Sequence, residues 1–234
     1  MTGIPSLPNF ETIMVMMKSH SKWYPLSPYI LQEDGQIMEN IWQFSKVYGG
    51  VVQKSVQKVS RYDPTVAFEF KKHTQFKTTP LGDELTPEYL EWREKGMKAR
   101  YPIRYPVGFH GRGKCVYALE KVGQDDDAAL VPLDYVQSRK AIYEPLYARL
   151  ARKCPKYQVL LSKLRKGENL LIIEVDGPHQ ESMPYYKQKY GVADDFITDS
   201  TMLVTPENID IMLNDTKHPY GHGYCLSYAL YQDI

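Results

Sequence analysis

The 234-residue sequence has no run of 18 apolar residues. It contains only three cysteines, and its net charge is only +1. The missing apolar run argues against a membrane-spanning helix, and the N-terminal segment lacks the basic start and apolar core of a signal peptide. Three widely spaced cysteines do not make a disulfide framework, so we expect free thiols in the cytoplasm, with the nucleus as an alternative. Because Walker, G-x-G-x-x-G and G-x-S-x-G motifs are also missing, the common NTPase, Rossmann and serine-hydrolase classes lack support.

The composition is that of a globular protein, with 43% hydrophobic and 24% charged residues. The length suits one domain spanning residues 1–234. Charge is unevenly distributed, because residues 46–77 carry seven Lys or Arg against two acids and residues 93–114 carry seven against one. The segment from residue 174 onward instead has ten acids and three lysines. One part of the chain could therefore face a polyanion, although an ordinary mixed surface is the alternative.

Apolar periodicity and capping residues predict a mainly helical α+β protein. A short apolar run predicts a buried strand at 169–175, and Pro145 should kink the helix that contains it. Residues 49–133 and 176–204 are rich in turn signals and are interpreted as insertions or substrate-facing loops. The predicted helices span residues 36–48, 134–152, 155–166, about 205–217 and about 225–232.

The helix predicted for residues 36–48 has two distinct faces. With about 100° of rotation per residue, Glu39, Gln43 and Lys46 fall within about 60° of one another. The apolar side chains Ile37 and Phe44 lie on the opposite face. This pattern fits an ordinary amphipathic helix, and it also fits a cleft wall in which a carboxylate and an amine perform acid–base or nucleophilic chemistry.

The same segment resembles the opening of the NADAR (YbiA-like) family. Residues 26–29 (LSPY), Gly35 and residues 39–46 (ENIWQFSK) are similar to that family's "(L/F)SNF" segment, glycine turn and "E-H-x-x-Q-x-x-K" helix. The sequence departs from the family pattern at Asn40, where histidine is usual, at Tyr220, where the family has tryptophan, and at His222, where it has aspartate. Further blocks in the same order resemble the family at Gly111-Arg112, 160–167, 171–174, Asn214-Asp215, 220–223 (YGHG) and 226–230.

The resemblance implies an N-glycoside hydrolase without a cofactor that acts on ribosyl or ADP-ribosyl compounds. It implies that Lys46 attacks the anomeric carbon and forms an imine, with Glu39 as the acid–base partner. An attacking lysine must be neutral, so we expect Lys46 to be partly buried or close to a second cation, for which Arg112 and Lys114 are candidates. The implied substrate contacts are Ser27, Tyr29, Trp42, Gln43, Arg112, Lys114, Glu174, Asn214, Asp215, Tyr220, Gly221 and His222.

The expected substrate is ADP-ribose on guanine in nucleic acid, and the basic segments would contribute to binding the nucleic acid. Free phosphoribosylamino or nucleotide metabolites are an alternative, as are a non-catalytic ADP-ribose or nucleic-acid binding module and a protein-interaction role. Glu174 could bind ribose hydroxyls or cap a neighbouring helix, and Trp42 could stack on a base or belong to the core. His179, His218, His222 and Cys225 are metal-ligand types, but the loop around Pro219 disfavours zinc, and we expect no metal.

Overall fold

The computed structural model describes residues 5–15, 22–48, 55–58, 67–70, 76–80, 82–103, 115–123, 128–175 and 177–234. Helices and small sheets make up this part of the chain, in agreement with the predicted α+β class. Contacts within the chain define two compact units: unit 1 comprises residues 1–27 and 139–234, and unit 2 comprises residues 28–138. The single domain predicted for 1–234 and the insertions predicted at 49–133 and 176–204 stay predictions.

Among its described residues, unit 2 combines a small antiparallel sheet with short hairpins and three helices. β9 (Cys115–Val122) is the central strand of this sheet, with β4 (Lys46–Tyr48) on one side and β10 (Ala129–Leu133) on the other. The core of the unit contains Phe44, Val47, Tyr89 and Trp92. Its elements in chain order are β2 (Gln32–Glu33), β3 (Gln36–Ile37), α1 (Met38–Ser45), β4 (Lys46–Tyr48), β5 (Ser55–Lys58), β6 (Ala67–Phe70), β7 (Phe76–Thr79), β8 (Gly82–Leu85), α2 (Pro87–Met97), β9 (Cys115–Val122), β10 (Ala129–Leu133) and α3 (Tyr135–Ser138).

A tight hairpin leads the chain into α1. Strands β2 and β3 pair antiparallel, and the two residues between them, Asp34 and Gly35, both have positive φ, 50° and 78°. A two-residue hairpin turn of this kind requires positive φ at both positions, which glycine adopts without steric cost and aspartate tolerates. The predicted glycine turn is therefore found at Gly35, and β3 leads from it into the helix that carries Glu39.

Unit 1 is mainly helical. Its one described sheet is two-stranded and parallel, and it pairs Phe10–Ile13 with Asn169–Ile172. Its longest helical stretch runs from a π-helical segment, Arg139–Tyr143, directly into residues 144–152. The elements of unit 1 are β1 (Phe10–Ile13), the π segment, α4 (Glu144–Arg152), α5 (Pro155–Arg165), β11 (Asn169–Ile172), α6 (Met183–Tyr190), α7 (Pro206–Asn214) and α8 (His222–Asp233).

Local capping signals give several of the helix boundaries correctly. The predicted helix at 155–166 is confirmed, with Pro155 in its first turn and Gly167 after its end at φ 78°. Thr205 caps α7, since its Oγ1 accepts a hydrogen bond from the Asn208 backbone N–H at 3.1 Å. These signals work because proline at a helix start and glycine after a helix end satisfy local steric requirements.

Other predicted boundaries and elements need correction. The first helix spans 38–45 rather than 36–48, α7 ends at Asn214 rather than near 217, and α8 begins at His222 rather than 225. The strand predicted at 169–175 is confirmed only at 169–172, and its side chains are half-buried or exposed rather than buried. Just before Pro145 the helix is π-helical over Arg139–Tyr143, so its backbone hydrogen bonds there join residues five apart rather than four. Pro145 itself has no backbone N–H to donate.

Two helices lie inside the segments interpreted as irregular. In α2, Thr86 accepts a hydrogen bond from the Tyr89 N–H at 3.3 Å, so Thr86-Pro87 is a helix start and not a loop turn. Helix α6 begins with Met183-Pro184 and is followed by Gly191, whose φ is 65°. Among the residues that the structure describes, no helix is long and apolar enough to cross a membrane.

Candidate functional site

The start of α1 in unit 2 is fixed by backbone hydrogen bonds. Ile37, the residue before the helix, provides no side-chain cap. The N–H groups of Met38 and Glu39 instead donate to the carbonyl oxygens of Leu31 and Pro28, at 2.9 and 3.0 Å. These bonds satisfy two of the N–H groups that a helix start leaves without intrahelical partners. Glu39 therefore occupies a well-defined first turn, where the helix dipole favours a negative charge.

Glu39 and Gln43 form a hydrogen-bonded pair on α1. The Glu39 residue is 4% exposed, and its Oε1 accepts a hydrogen bond from Gln43 Nε2 at 2.7 Å. The amide oxygen of Gln43 is buried without a hydrogen-bond partner among the described residues. The amide thus orients the carboxylate without adding a charge, which suits a carboxyl group that must exchange a proton.

Lys46 does not lie on the helix, in contrast to the prediction. Its N–H donates to Gln43 O as the helix ends, and its backbone is extended, with φ −82° and ψ 138°. The predicted burial of Lys46 is confirmed, because the residue is only 8% exposed. Its ammonium lies 4.8 Å from the centre of the Trp42 ring, and Trp42 packs in turn on Tyr135 with ring centres 6.4 Å apart. Burial favours a neutral amine, whereas the aromatic face favours the charged form.

The transition from α1 into β4 at Lys46 is held by side chains from other parts of unit 2. Arg93 Nε donates to the Phe44 carbonyl oxygen at 2.8 Å and so satisfies an acceptor at the helix end. Lys46 pairs with Ala118 in the sheet, and the Tyr89 hydroxyl donates to the Lys46 carbonyl at 3.5 Å. Arg93 is buried, and burial lowers its pKa. This arginine was counted in the basic stretch 93–114 but is not available to a polyanion.

Asn40, which stands where the resembled family has histidine, is fully buried and holds a loop. Its Nδ2 donates to the carbonyl oxygens of Ala99 and Tyr101, at 3.1 and 3.0 Å. Its Oδ1 accepts a hydrogen bond from the Ile103 N–H at 2.8 Å. Three hydrogen bonds from one amide side chain join α1 to the segment after α2. Asn40 therefore has a structural role beside the candidate carboxylate.

Five other predicted site residues divide between the described units and the rest of the chain. Arg112 and Lys114 lie outside the described residues, so their predicted roles stay predictions. Tyr29 is half-buried in unit 2, and Ser27 is fully buried in unit 1. Trp42, predicted as a base-stacking residue, is 4% exposed. Its ring contacts Lys46 and Tyr135, and its burial is that of a core residue.

In unit 1, Glu174 caps helix α8. Its Oε2 accepts a hydrogen bond from the Gly223 N–H at 2.7 Å, and its Oε1 accepts one from Val175 N at 2.7 Å. A Cβ on Gly221 would lie 2.2 Å from Glu174 Oε2, and one on Gly223 would lie 2.9 Å from the Glu174 Cβ. The glycines of the YGHG block thus make room for a carboxylate at a helix N-terminus. Of the two predicted roles for Glu174, helix capping is the one that the structure shows.

We expect Glu174→Ala and Gly221→Ala each to destabilise the protein by about 1 to 2 kcal/mol. The first change removes the cap, and the second displaces it. Because both act on the same contact, the double variant should lose little more than either single variant. Urea unfolding of the four proteins measures the coupling. Additive losses would show that Gly221 serves something other than the Glu174 contact.

Asp215 is fully buried and accepts hydrogen bonds from four donors. The Tyr185 and Tyr186 hydroxyls donate at 2.6 and 2.5 Å, the Lys217 N–H at 2.9 Å, and His218 Nδ1 lies 2.6 Å from Oδ2. Burial acts to raise the pKa of Asp215, but the hydrogen bonds outweigh it and lower the pKa to about 2. The carboxylate is therefore ionised at neutral pH, and its oxygens are occupied by protein donors.

The lowered pKa of Asp215 predicts a loss of stability in acid. Because the folded-state pKa is about 2 against an ordinary 3.8, the stabilisation is present above about pH 4. It is lost as pH falls from about 4 to 2, and it amounts to about 2 to 3 kcal/mol. In Tyr185→Phe, which lacks one donor, the stability deficit should be largest above pH 4 and shrink towards pH 2. Urea unfolding across this range checks it, with the exposed Tyr231→Phe as a control that should show no such trend.

The remaining predicted contacts in unit 1 also have protein partners. Asn214 Oδ1 accepts a hydrogen bond from Lys140 Nζ. His222 Nδ1 lies 3.2 Å from the Tyr143 hydroxyl. Tyr220 is buried and stacks on Tyr224 with ring centres 5.4 Å apart. Burial raises the pKa of Tyr220, whose hydroxyl has no hydrogen-bond partner among the described residues. Of the Asn214, His222 and Tyr220 side chains, only Tyr220 has a buried polar atom without a hydrogen-bond partner among the described residues, its hydroxyl oxygen, which a ligand could contact.

The possible metal ligands of unit 1 point to different partners. His179 Nδ1 is 3.3 Å from Ser200 Oγ, whereas His218 contacts Asp215 and His222 contacts Tyr143. Cys225 is a buried free thiol, and burial raises its pKa. Within the described ranges, no group of three His, Cys, Asp or Glu side chains could hold a metal ion.

Sequence reasoning missed several side chains that organise these sites. Arg139 is fully buried and donates to the carbonyl oxygens of Met212 at 3.1 Å and His218 at 3.3 Å, so it ties the end of α7 to the following turn. Ser182 and Tyr186 lie in the segment interpreted as a loop. Its Met-Pro-Tyr-Tyr run and following Gly191 are a proline start and a glycine stop, which could have revealed α6.

Comparison of the chain with known protein families, with curated proteins and with solved structures finds no match. The functional argument below therefore uses the geometry of the described residues and the resemblance in the sequence blocks quoted above.

Proposed function

We propose that the protein is an N-glycoside hydrolase that cleaves a ribosyl–nitrogen bond, with Lys46 as the imine-forming nucleophile and Glu39 as the acid–base group. The observation that carries this proposal is the burial of both groups, since Glu39 is 4% and Lys46 is 8% exposed in unit 2. Carboxylates and ammonium groups are rarely buried to this extent unless a partner or a function requires it.

The surroundings of the two groups support different chemical roles. Glu39 is oriented by a neutral amide, Gln43, which fixes the carboxylate for a role in proton transfer without adding a charge beside it. Lys46 lies over the indole of Trp42 and is only 8% exposed, so its amine is held away from bulk water. Its backbone is fixed in the sheet, so the amine is presented from a rigid element.

The reaction requires two proton transfers from the lysine nitrogen. The neutral amine of Lys46 attacks the anomeric carbon as the bond to the base nitrogen breaks, and Glu39 passes one of the amine protons to the leaving base. The second amine proton moves to the ring oxygen as the ribose opens, which leaves an imine between Lys46 and the anomeric carbon. Water then hydrolyses this imine, so that a free aldose and the amine of Lys46 are regenerated.

The proposed substrate is ADP-ribose attached to guanine in nucleic acid. Support comes from the family resemblance and from the excess of Lys and Arg in residues 46–77 and 93–114. Half of these Lys and Arg residues lie outside the described ranges, and Arg93 is buried, so Arg93 does not contribute. Free phosphoribosylamino or nucleotide metabolites are a second candidate because Glu39 and Lys46 would act on the same ribosyl–nitrogen bond in either substrate.

The test is to incubate the full-length protein with an oligonucleotide carrying ADP-ribosyl-guanine and, separately, with a phosphoribosylamino-pyrimidine. Mass spectrometry measures release, and borohydride traps an imine as a stable amine. Release together with a trapped adduct on the peptide containing Lys46 is the expected result. Cleavage of the small compound alone would identify the metabolite as substrate, whereas binding without release or adduct would show a binding module and contradict the proposal.

A further inference from the structure

Unit 1 contains a linear arrangement of a hydroxyl, an imidazole and a carboxylate, formed by Ser182, His218 and Asp215. Ser182 Oγ lies 3.0 Å from His218 Nε2, and His218 Nδ1 lies 2.6 Å from Asp215 Oδ2. The three residues come from two segments separated in sequence, one preceding α6 and one following α7. Both distances are within the range for hydrogen bonds, and each nitrogen of the imidazole faces a different partner.

The carboxylate determines which imidazole nitrogen carries the proton. Asp215 is ionised at neutral pH, because its pKa is about 2, and an ionised carboxylate only accepts hydrogen bonds. The Tyr186 hydroxyl, 2.9 Å from His218 Nδ1, already donates its proton to Asp215 and so can only accept from that nitrogen. In the neutral imidazole Nδ1 is therefore the donor, which leaves the lone pair of Nε2 directed at the Ser182 hydroxyl. This is the tautomer that a general base requires.

The imidazole is held in place from several directions. The rings of Tyr186 and His218 stack with centres 5.4 Å apart at an angle of 20°. Arg139 donates to the His218 carbonyl oxygen at 3.3 Å, and the Lys217 N–H donates to Asp215 Oδ1 at 2.9 Å. A base fixed by packing and hydrogen bonds is preorganised for proton transfer.

The Ser182 hydroxyl does not cap helix α6, although Ser182 stands at the cap position. Ser182 directly precedes α6, where a serine side chain commonly caps the helix by accepting from an N–H two or three residues later. No such bond is present, and the hydroxyl contacts the imidazole instead. Ser182 is partly exposed and the His218 side chain is 15% exposed, so a small electrophile can reach the pair.

We propose that Ser182, His218 and Asp215 form a nucleophile–base–carboxylate site in unit 1 that reacts with small acyl esters, independently of Glu39 and Lys46. Ser182 Oγ attacks the ester carbonyl, and its proton passes to His218 Nε2. The alcohol leaves with that proton, and the acyl group stays on Ser182. Water, deprotonated by His218, then releases the carboxylic acid and restores the hydroxyl.

A fluorophosphonate probe tests the nucleophile directly, because attack by Ser182 Oγ on phosphorus expels fluoride and leaves a stable adduct. We expect one adduct on the wild-type chain, located on the peptide containing Ser182. In Ser182→Ala and His218→Gln the labelling rate should fall at least about 100-fold, the scale of general base assistance. Hydrolysis of p-nitrophenyl acetate should fall in parallel, with unfolding curves confirming that the variants are folded.

A matched control is available in the same unit. Ser200 Oγ lies 3.3 Å from His179 Nδ1, a serine–histidine pair for which no carboxylate partner occurs among the described residues. Ser200→Ala should leave the labelling rate unchanged. Absence of any adduct on the wild type, or equal labelling of wild type and folded Ser182→Ala, would overturn the proposal and show that the three residues only connect two turns.

Discussion

Lys46→Met is expected to reduce release of the ribosyl group at least about a thousandfold and to abolish the borohydride-trapped adduct. Methionine keeps an unbranched side chain against Trp42 but has no amine, so neither the attack nor the imine is possible. The packing at the end of α1 should survive, because the Lys46 hydrogen bonds to Gln43 and Tyr89 are made by backbone atoms. The measurement is single-turnover release from the ADP-ribosyl-guanine oligonucleotide, followed by mass spectrometry.

Two further variants make this experiment specific. Lys95→Met removes an exposed lysine of α2 that pairs with Glu91, and it should leave turnover unchanged. Lys46→Arg keeps a positive charge on the indole but cannot form the imine, so it should be as inactive as Lys46→Met. Near-normal turnover in Lys46→Arg would show that the residue supplies charge only, and the proposed covalent step would be wrong.

The helix boundaries that the sequence predicted correctly depend on neighbouring residues alone. Thr205 and Pro206 start α7, and Gly167 follows α5 in a left-handed conformation. Each signal acts within a few residues, so it can be recognised without knowledge of the rest of the fold. The common helix face of Glu39 and Gln43 was predicted in the same way, since residues four apart lie on the same side of a helix.

The end of α1 could not be predicted from local sequence. Periodicity favoured a helix through Lys46, whereas the structure places that residue in a strand opposite Ala118. The sheet partner is more than seventy residues away in sequence, and Arg93, which satisfies the Phe44 carbonyl, comes from another helix. Tertiary pairing of this kind outweighs local helical preference and leaves no mark in a short window.

The cluster around Asp215 was missed for the same reason. The sequence marked Asp215 as a possible ligand contact, but its donors Tyr185 and Tyr186 lie in a segment interpreted as a loop. His218 was considered as a metal ligand, and only the structure shows its contacts with Asp215 and Ser182. Side chains of this type become a site only when the fold brings distant segments together.

The Asn40→Asp variant is expected to destabilise unit 2 by about 4 kcal/mol, the largest stability effect predicted for this protein. The change keeps the shape of the side chain but removes both donors, so the carbonyl oxygens of Ala99 and Tyr101 lose their hydrogen bonds. It also places a carboxylate, fully buried, against those two carbonyl oxygens. An uncompensated charge in such a position costs more than a missing hydrogen bond.

Urea unfolding of Asn40→Asp beside Asn208→Asp separates this effect from the general consequence of the substitution. Asn208 lies in the first turn of α7, where its Nδ2 makes one exposed bond to the Leu203 carbonyl, and a new negative charge there meets the favourable end of the helix dipole. That variant should differ from wild type by less than about 1 kcal/mol. If Asn40→Asp is equally mild, the loop at 99–103 is not held by Asn40. A large loss confined to Asn40→Asp instead shows that the residue beside Glu39 maintains the framework on which the proposed chemistry depends.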